Sequence, residues 1–191
     1  MLASAARLFS AHGAASVSLR RIAADAAVAP TLVAYHFGDK EGLLNAVLDV
    51  AFERLLAVIE RAMQRPEDAL IPGFVPAYLA ALARDPWIAP LMVREVLSHD
   101  GGGRRRFIER FGRRVAELVP PALAEEAAKG RLRADLDPRL TLLSLVGMCA
   151  FPFIAEPVLG PVFGYRIDPA FADRLAAHTT DIFINGARSR P

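Results

Sequence analysis

The chain has 191 residues, of which 53% are hydrophobic, so it can bury a substantial core in one domain or in a small domain joined to a larger one. This composition excludes an intrinsically disordered protein. The formal net charge is only +2, which permits binding to nucleic acid without requiring it.

Membrane and secretion signals are weak in the sequence. The longest apolar stretch, residues 140–159, contains Pro152, Glu156 and Pro157, so we expect no membrane-spanning helix. The N-terminus lacks the continuous apolar block of a signal peptide. The single cysteine, Cys149, lies in an apolar run, which predicts a buried, unreactive thiol and no disulfide within the chain. We therefore expect a cytoplasmic protein.

Four helices are predicted in the first third of the chain, because apolar residues recur there at intervals of three and four. The first helix ends at Gly13, and Ser18 is placed to cap the second. Pro30, at a first-turn position, begins a short third helix. Asp39 is placed to cap a fourth helix that extends to about residue 64.

The rest of the chain also follows a helical period. Further helices are predicted at about residues 74–82, 91–97, 107–118, 137–152 and 168–185, with a loop at 99–103. We expect Pro120-Pro121 to stop or kink the helix at about 107–118, which then resumes through residues 125–126 and ends at Gly130. A loop through Pro157 and Gly164 should follow the helix that Asp137 caps. The sequence thus predicts an all-α protein with about nine helices.

Residues 18–37 have the spacing of a helix-turn-helix. Small or apolar side chains occupy the positions where two crossing helices must pack: Ile22, Ala23, Ala26, Val28 and Val33. The turn is formed by residues 27–29, and the second helix starts at Pro30. In this arrangement the second helix enters the major groove of DNA, and the helix before it crosses the phosphate backbone.

The segment SLRRIAADAAVAPTLVAYHFGDKEGLL, residues 18–44, resembles the DNA-binding segment of TetR-family (tetracycline-repressor-like) regulators. The family pattern has an Ile-Ala-x-x-Ala-Gly-Val turn, a short recognition helix that ends in aromatic-His-Phe, and a Lys-x-x-Leu start of the fourth helix. The matching residues are Ile22, Ala23, Ala26, Val28, Tyr35, His36, Phe37, Lys40, Leu43 and Leu44. With the first-helix pattern of residues 5–13, the resemblance covers about the first quarter of the chain.

The resemblance implies a DNA-binding domain at residues 1–45 and a larger ligand-binding and dimerisation domain at 46–191. The expected DNA contacts come from Ser18, Arg20, Pro30, Thr31, Leu32, Tyr35, His36 and Lys40. Tyr35 and His36 can donate to phosphate oxygens, and Lys40 can share a phosphate with the first amides of the fourth helix. Thr31 offers a hydroxyl and a methyl to a base edge. Phe37 is interpreted as a core residue.

Three alanines depart from the family pattern. The turn position that usually holds glycine is Ala27, and a positive φ there would cost roughly 1 kcal/mol relative to glycine. Ala29 stands in place of the common serine cap, and Ala34 in place of a frequent tyrosine. The chain also begins within the first helix, without the short basic arm of many relatives. These departures predict a modest DNA affinity or an incomplete start.

A ligand pocket is the second site that the sequence indicates. Its candidate lining residues combine large apolar side chains with a few polar ones: Trp87, Met92, Glu95, His99, Met148 and Phe151. A surface ion pair of Glu95 with His99 and ordinary core packing of the apolar residues are the alternatives. No histidine pair has metal-ligand spacing, so we expect neither a metal nor a cofactor.

A basic run is the remaining feature. It contains six arginines: Arg104, Arg105, Arg106, Arg110, Arg113 and Arg114. We interpret it as a solvated helix face that counters acidic neighbours, with a site for an anionic ligand as the alternative.

These features predict a ligand-responsive transcriptional regulator, in the simplest form a homodimeric repressor of a near-palindromic DNA operator with a small, mostly apolar effector. The dimer is expected to form through the apolar helices at about 137–152 and 168–186. Two other classes stay open. A small all-α enzyme would need a catalytic constellation, and the sequence shows none at telling spacing. A protein-interaction adaptor with a weak DNA-binding head is compatible with the alanine departures.

Overall fold

The computed structural model describes residues 1–64, 69–98 and 102–187, and within them it is helical, with no β-strand. Its α-helices, in chain order, are α1 (Leu2–His12), α2 (Leu19–Asp25), α3 (Pro30–Phe37), α4 (Lys40–Met63), α5 (Leu70–Arg84), α6 (Ile88–Leu91), α7 (Gly102–Phe107), α8 (Arg113–Ala128), α9 (Pro138–Phe163) and α10 (Pro169–Ala187). A 3₁₀ turn at Ala14–Ser16 follows α1. Two π-helical segments continue the neighbouring α-helices: Met92–Leu97 follows α6, and Ile108–Gly112 lies between α7 and α8. Because α7 and α8 are thereby continuous, the described residues form nine helical rods, and the predicted fold class is confirmed.

The predicted helix ends are confirmed where a single side chain sets them. The hydroxyl of Ser18 accepts a hydrogen bond from the amide of Arg21 at 3.2 Å, at the start of α2. The carboxylate of Asp39 accepts from the amide of Gly42 at 2.8 Å, and that of Asp137 accepts from the first amides of α9. Each cap satisfies an amide that has no partner within its own helix.

The predicted end of the helix at residues 137–152 is wrong, because α9 continues to Phe163 through Pro152, Pro157 and Pro161. Each proline removes one hydrogen bond from the helix. A continuous buried face, Leu145, Cys149, Phe153 and Gly160, holds the helix together across these gaps. By length and composition, α9 is the one helix in the described part of the chain that could cross a membrane, which is weak evidence because core helices of soluble proteins pass the same test.

The predicted break at Pro120-Pro121 is also wrong, since α8 runs through both prolines to Ala128. Val119 and Leu123 on either side of them are buried, so tertiary packing again outweighs the local preference. The predicted loop at 99–103 ends earlier than expected, because Gly102 and Gly103 already belong to α7. The first three residues of that loop lie outside the described residues.

The contacts divide the chain into two compact units. The first unit comprises Met1–Glu53 and the described residues of Trp87–Phe111. Its helices α1 and α6 pack together, as do α2 and α3. The ring of Phe52 in α4 stacks on Phe111 and meets Phe107 edge-on, with centroids 5.7 and 5.6 Å apart.

The second unit comprises Arg54–Pro86 and the described residues from Gly112 onward. In it α5 packs against α10 and α9, and α8 packs against α9. Cys149 is fully buried, as predicted, and burial raises the pKa of its thiol to about 12. A raised pKa disfavours the nucleophilic thiolate, and the low reactivity of this thiol stays a prediction. The predicted division after residue 45 stays a prediction about function.

A buried carboxylate joins α8 to the start of α5 within the second unit. Glu126 binds the guanidinium of Arg131 through both oxygens, and its Oε2 accepts from the amide of Leu70 at 3.3 Å. The hydrogen bonds from Arg131 hold the pKa of Glu126 below its usual range in spite of burial. Stability from this group is therefore present at neutral pH and is lost as the pH falls through the lowered pKa.

Candidate nucleic-acid interface

The turn between α2 and α3 has the geometry of a Schellman motif. The amide of Ala27 donates to the carbonyl of Ala24 at 3.2 Å, and the amide of Val28 donates to the carbonyl of Ala23 at 3.0 Å. Ala27 occupies the left-handed position of the motif, with φ of 52°, and is the one non-glycine residue with positive φ among those described. Because φ of Ala27 is positive, the predicted backbone strain of this alanine relative to glycine applies.

Replacing Ala27 with glycine is expected to raise the free energy of unfolding by about 1 kcal/mol, because glycine adopts positive φ without a Cβ clash. For a chain of this length, that corresponds to a rise in melting temperature of roughly 2–4 °C. Ala24→Gly is the matched control, since Ala24 is exposed within α2 and glycine should lower stability there by a similar amount. Thermal unfolding by circular dichroism measures both, and a lower melting temperature for Ala27→Gly would contradict the strained turn.

The helix α3 begins at Pro30 and stands largely clear of the core. Its N-cap residue is Ala29, so no side chain accepts a hydrogen bond from the first amides. Six of its eight side chains are exposed, whereas Val33 is fully buried and Phe37 is half-buried. Because a helical period separates the buried and exposed residues, Val33 anchors one side and the opposite side faces outward.

The last turn of α3 carries the aromatic cluster that the sequence singles out. Tyr35 is 84% exposed, and its ring meets the ring of His36 edge-on at 5.3 Å between centroids. The ring of His36 lies 6.2 Å from that of Phe37, which is the more buried of the two. The two exposed rings can therefore donate hydrogen bonds outward. Phe37 is half-buried and is not among the fully buried core residues, so its role as a core residue stays a prediction.

The start of α4 lies close behind the end of α3. The amide of Asp39 donates to the carbonyl of Phe37 at 3.0 Å. A Cβ atom on Gly42 would stand only 2.0 Å from that same carbonyl oxygen, so the approach requires glycine. The ammonium of Lys40 donates to the carbonyl of Ala15 at 3.2 Å, a contact that the sequence did not indicate. An ammonium has three donors, so this bond is compatible with a phosphate contact.

Besides Lys40 at the start of α4, charged groups on α1 and α2 lie near the helix-turn-helix. Arg7 binds the carboxylate of Asp25, and this hydrogen bond is the main reason that the pKa of Asp25 is below its usual range. A nitrogen of Arg21 lies 3.0 Å from Nε2 of His12. Ser18 and Arg20 are exposed at the beginning of α2. The cationic part of this surface is thus next to α3 and not on it.

The predicted ligand-pocket residues are divided between the two units. Trp87, Met92 and Glu95 belong to the first unit, Met148 and Phe151 belong to the second unit, and His99 lies outside the described residues. Phe151 is exposed on α9. The pocket stays a prediction.

Glu95 has a role that sequence reasoning missed. Its carboxylate accepts a hydrogen bond at 2.8 Å from the amide of Ala14, at the 3₁₀ turn after α1. A cavity of about 430 Å³ in the first unit lies beside this contact, with Arg94 and Glu41 also on its wall. A groove of about 590 Å³ in the second unit, between α5 and α10, contains none of the predicted pocket residues. A contact across 81 residues leaves no local signal in the sequence.

The arginine run is largely occupied by contacts within the protein. Arg104 donates to the carbonyls of Val96 and Leu97. Arg106 donates to Asp49 through Nε and Nη2, which raises the pKa of its guanidinium, and Arg110 lies 3.6 Å from the same carboxylate. Arg114 lies 3.5 Å from Glu60 in the second unit. These contacts agree with the interpretation of a face that counters acidic neighbours. Among the described residues, no three His, Cys, Asp or Glu side chains are grouped to hold a metal ion.

Comparison with known proteins adds to this geometry. Residues 1–47 match the model for bacterial regulatory proteins of the tetR family. Over 131 residues, or 69% of its length, the chain is 30% identical to the HTH-type transcriptional regulatory protein RaaS of Mycobacterium tuberculosis, and the match spans 57% of that relative. The chain thus spans little more than half the length of this curated relative.

Solved structures share the whole fold. The ketosteroid transcriptional regulator KstR2 of Mycobacterium tuberculosis superposes with a TM-score of 0.80 at 19% identity, covering 99% of this chain and 93% of that one. AibR, in a complex with isovaleryl coenzyme A and operator DNA, superposes with a TM-score of 0.74 at 19% identity, covering 95% and 94% of the two chains. At these identities the likeness concerns the fold.

Proposed function

Since this chain belongs to the tetR family of bacterial regulatory proteins, we propose that it is a homodimeric repressor that a small, mostly apolar molecule releases from its operator. The observation that carries the proposal is the outward side of α3. Val33 is buried behind it, and six of the eight side chains of α3 are exposed on a helix that follows the turn of a helix-turn-helix. Such a helix inserts into the major groove, with α2 crossing the backbone.

The proposed DNA contacts follow from this placement. Thr31 and Leu32, in the first turn of α3, face the base edges, and Tyr35 and His36 donate to phosphates at the other end. Ser18 and Arg20, at the start of α2, contact the phosphate backbone of the DNA, and Pro30 packs against the same backbone. Lys40 adds a cation at the start of α4. The repressor works in the cytoplasm, where its operator lies.

The proposed dimer forms through α9 and α10. One side of α9 exposes large apolar side chains at helical spacing, which we call the α9 stripe: Leu140, Leu143, Phe151, Val158 and Val162. Ile182 of α10 is also exposed. An uncharged apolar surface of this length marks an interaction site, and we assign it to a second copy of the chain related by two-fold symmetry. A lipid bilayer is the competing cover, and binding of the protein to lipid vesicles would favour it.

A two-fold dimer presents two copies of α3 to the operator. Their centres must stand about 34–36 Å apart to enter successive major grooves on one side of the duplex. A ligand that binds more tightly to a conformation with another spacing lowers operator affinity, and by reciprocity the operator lowers ligand affinity. The helix α4 starts at Lys40 in the first unit and ends at Met63 in the second, which makes it the proposed lever.

Removing a single phosphate contact tests the DNA-binding surface. Tyr35→Ala and Lys40→Ala are each expected to weaken operator binding roughly tenfold, because both half-sites lose a contact. Lys40→Ala should also reduce the slope of log affinity against log salt by about 2, one charge for each protomer. Titration of a fluorescent duplex from the region upstream of the gene, at fixed salt and then across salt, measures both.

Lys129→Ala is the matched control for these variants, since Lys129 pairs with Glu125 at the exposed end of α8 and should bind DNA normally when replaced. Unchanged operator affinity in both Tyr35→Ala and Lys40→Ala would contradict the proposal that α3 and the start of α4 contact DNA. Repeated absence of a gel shift across upstream fragments would favour the adaptor class instead.

A further inference from the structure

The side chains of α3 lack the groups that make paired hydrogen bonds to bases. Its eight residues, Pro30–Phe37, include no Arg, Lys, Asn, Gln, Asp or Glu. Arg and Lys read guanine in the major groove, Asn and Gln read adenine, and the carboxylates accept from cytosine. The recognition helix therefore offers no such contact to three of the four bases.

What α3 does offer is an apolar surface. Within residues 1–53, the large hydrophobic side chains that stand exposed are Leu32, at 40%, and Tyr35, at 84%. Both lie on α3, where Tyr35 is nearly opposite the buried Val33 and Leu32 is about 100° around the helix from it. Thr31 is exposed next to Leu32 and carries a methyl group beside its hydroxyl. Within residues 1–53, the exposed large hydrophobic side chains are thus confined to α3, the helix that meets DNA in the proposed function.

The position along α3 separates base reading from backbone contact. The residues at the beginning of a recognition helix contact base edges. Thr31 and Leu32 lie in this first turn, whereas Tyr35 and His36 lie in the last turn with their rings in contact. Base reading by α3 therefore falls to one hydroxyl, one methyl group and one leucine side chain.

We propose that α3 recognises thymine, through apolar contact of Thr31 and Leu32 with C5 methyl groups in each operator half-site. Thymine is the only standard base that presents an apolar group in the major groove, and burial of that group against Leu32 removes apolar surface of both partners from water. The inference rests on the proposed function, since it names the base chemistry that the same surface reads.

The test removes the methyl group from the DNA. A duplex is selected from a random library with the full-length protein, and each thymine of its half-sites is then replaced in turn by uracil, which lacks the C5 methyl. At one or two positions per half-site we expect a loss of roughly 4-fold per methyl group, or roughly 15-fold when both half-sites change together. Fluorescence anisotropy at one salt concentration measures the affinities.

Three variants assign the contact to side chains. Thr31→Ser removes the methyl group and keeps the hydroxyl, Thr31→Val does the reverse, and Leu32→Ala shortens the apolar side chain. The preference for thymine over uracil should shrink in Thr31→Ser and in Leu32→Ala and persist in Thr31→Val. Leu97→Ala, at an exposed leucine outside α3, is the control and should keep the full preference.

Equal affinity for thymine and uracil duplexes at every position would overturn the proposal and leave specific DNA binding standing. A preference that persists undiminished in both Thr31→Ser and Leu32→Ala would assign the methyl groups to another element and also overturn it. Selection that yields no preferred sequence would contradict the proposed function itself, and this inference with it.

Discussion

We expect Phe151→Glu to convert the protein from a dimer into a monomer and to lower operator affinity roughly 100-fold or more, because a single protomer presents one recognition helix where the operator binds two. Phe151 lies in the middle of the α9 stripe and is 58% exposed. A two-fold interface contains the substituted residue twice, so two carboxylates would lose water without a partner. Each such burial costs several kcal/mol.

A matched substitution separates this effect from a general effect of charge. Leu97→Glu places the same carboxylate at a leucine of similar exposure, 65%, outside the α9 stripe, and should leave both mass and operator affinity unchanged. Size-exclusion chromatography with light scattering gives the mass, and anisotropy gives the affinity. A Phe151→Glu protein that stays dimeric at micromolar concentration would place the interface elsewhere. A monomer with full operator affinity would disconnect dimerisation from DNA binding.

The starts of helices could be predicted because their cause is local. Ser18, Asp39 and Asp137 each accept from amides two or three residues further along the chain, and a short sequence window contains both partners. The same holds for Pro30 at the start of α3. The helices α1 to α4 could be predicted from such signals together with the spacing of apolar residues.

The lengths of the later helices could not be predicted, because their cause is distant. Proline preference argued for ends at Pro152 and Pro120, yet α9 and α8 continue through them. The hydrogen bonds lost at the prolines are offset by burial of residues such as Phe153 against other helices, and the sequence does not state which helices those are.

The candidate site divides in the same way. The exposed side of α3 followed from a motif within 20 contiguous residues, and Ala27 was identified as the position to inspect for positive φ. The bond from Ala14 to Glu95 joins residues 81 apart, and the bond from Lys40 to the carbonyl of Ala15 joins residues 25 apart. Side chains predicted for a ligand or a phosphate thus also hold the 3₁₀ turn after α1, which only the packed structure reveals.

Gly42→Ala is expected to lower the free energy of unfolding by roughly 2–3 kcal/mol and the melting temperature by roughly 5–10 °C. The new Cβ would stand 2.0 Å from the carbonyl oxygen of Phe37 and 3.2 Å from its carbonyl carbon. These are backbone atoms, so the clash is relieved only by moving the end of α3 away from the start of α4. That movement carries Tyr35 and His36 with it, and operator affinity should fall together with stability.

Gly73→Ala provides the control with the opposite sign. Gly73 lies within α5, and a Cβ there would meet no heavy atom within 4 Å, so alanine should raise stability by up to about 1 kcal/mol through its higher helix propensity. Thermal unfolding and operator titration on the same preparations compare the two variants. If Gly42→Ala melts at or above the temperature of the unsubstituted protein, α3 and α4 do not approach as closely as the contact requires. If Gly42→Ala melts at a lower temperature but binds the operator normally, operator binding does not depend on the position of the end of α3. The phosphate contacts proposed for Tyr35 and His36 would then have to come from residues in the first turn of α3.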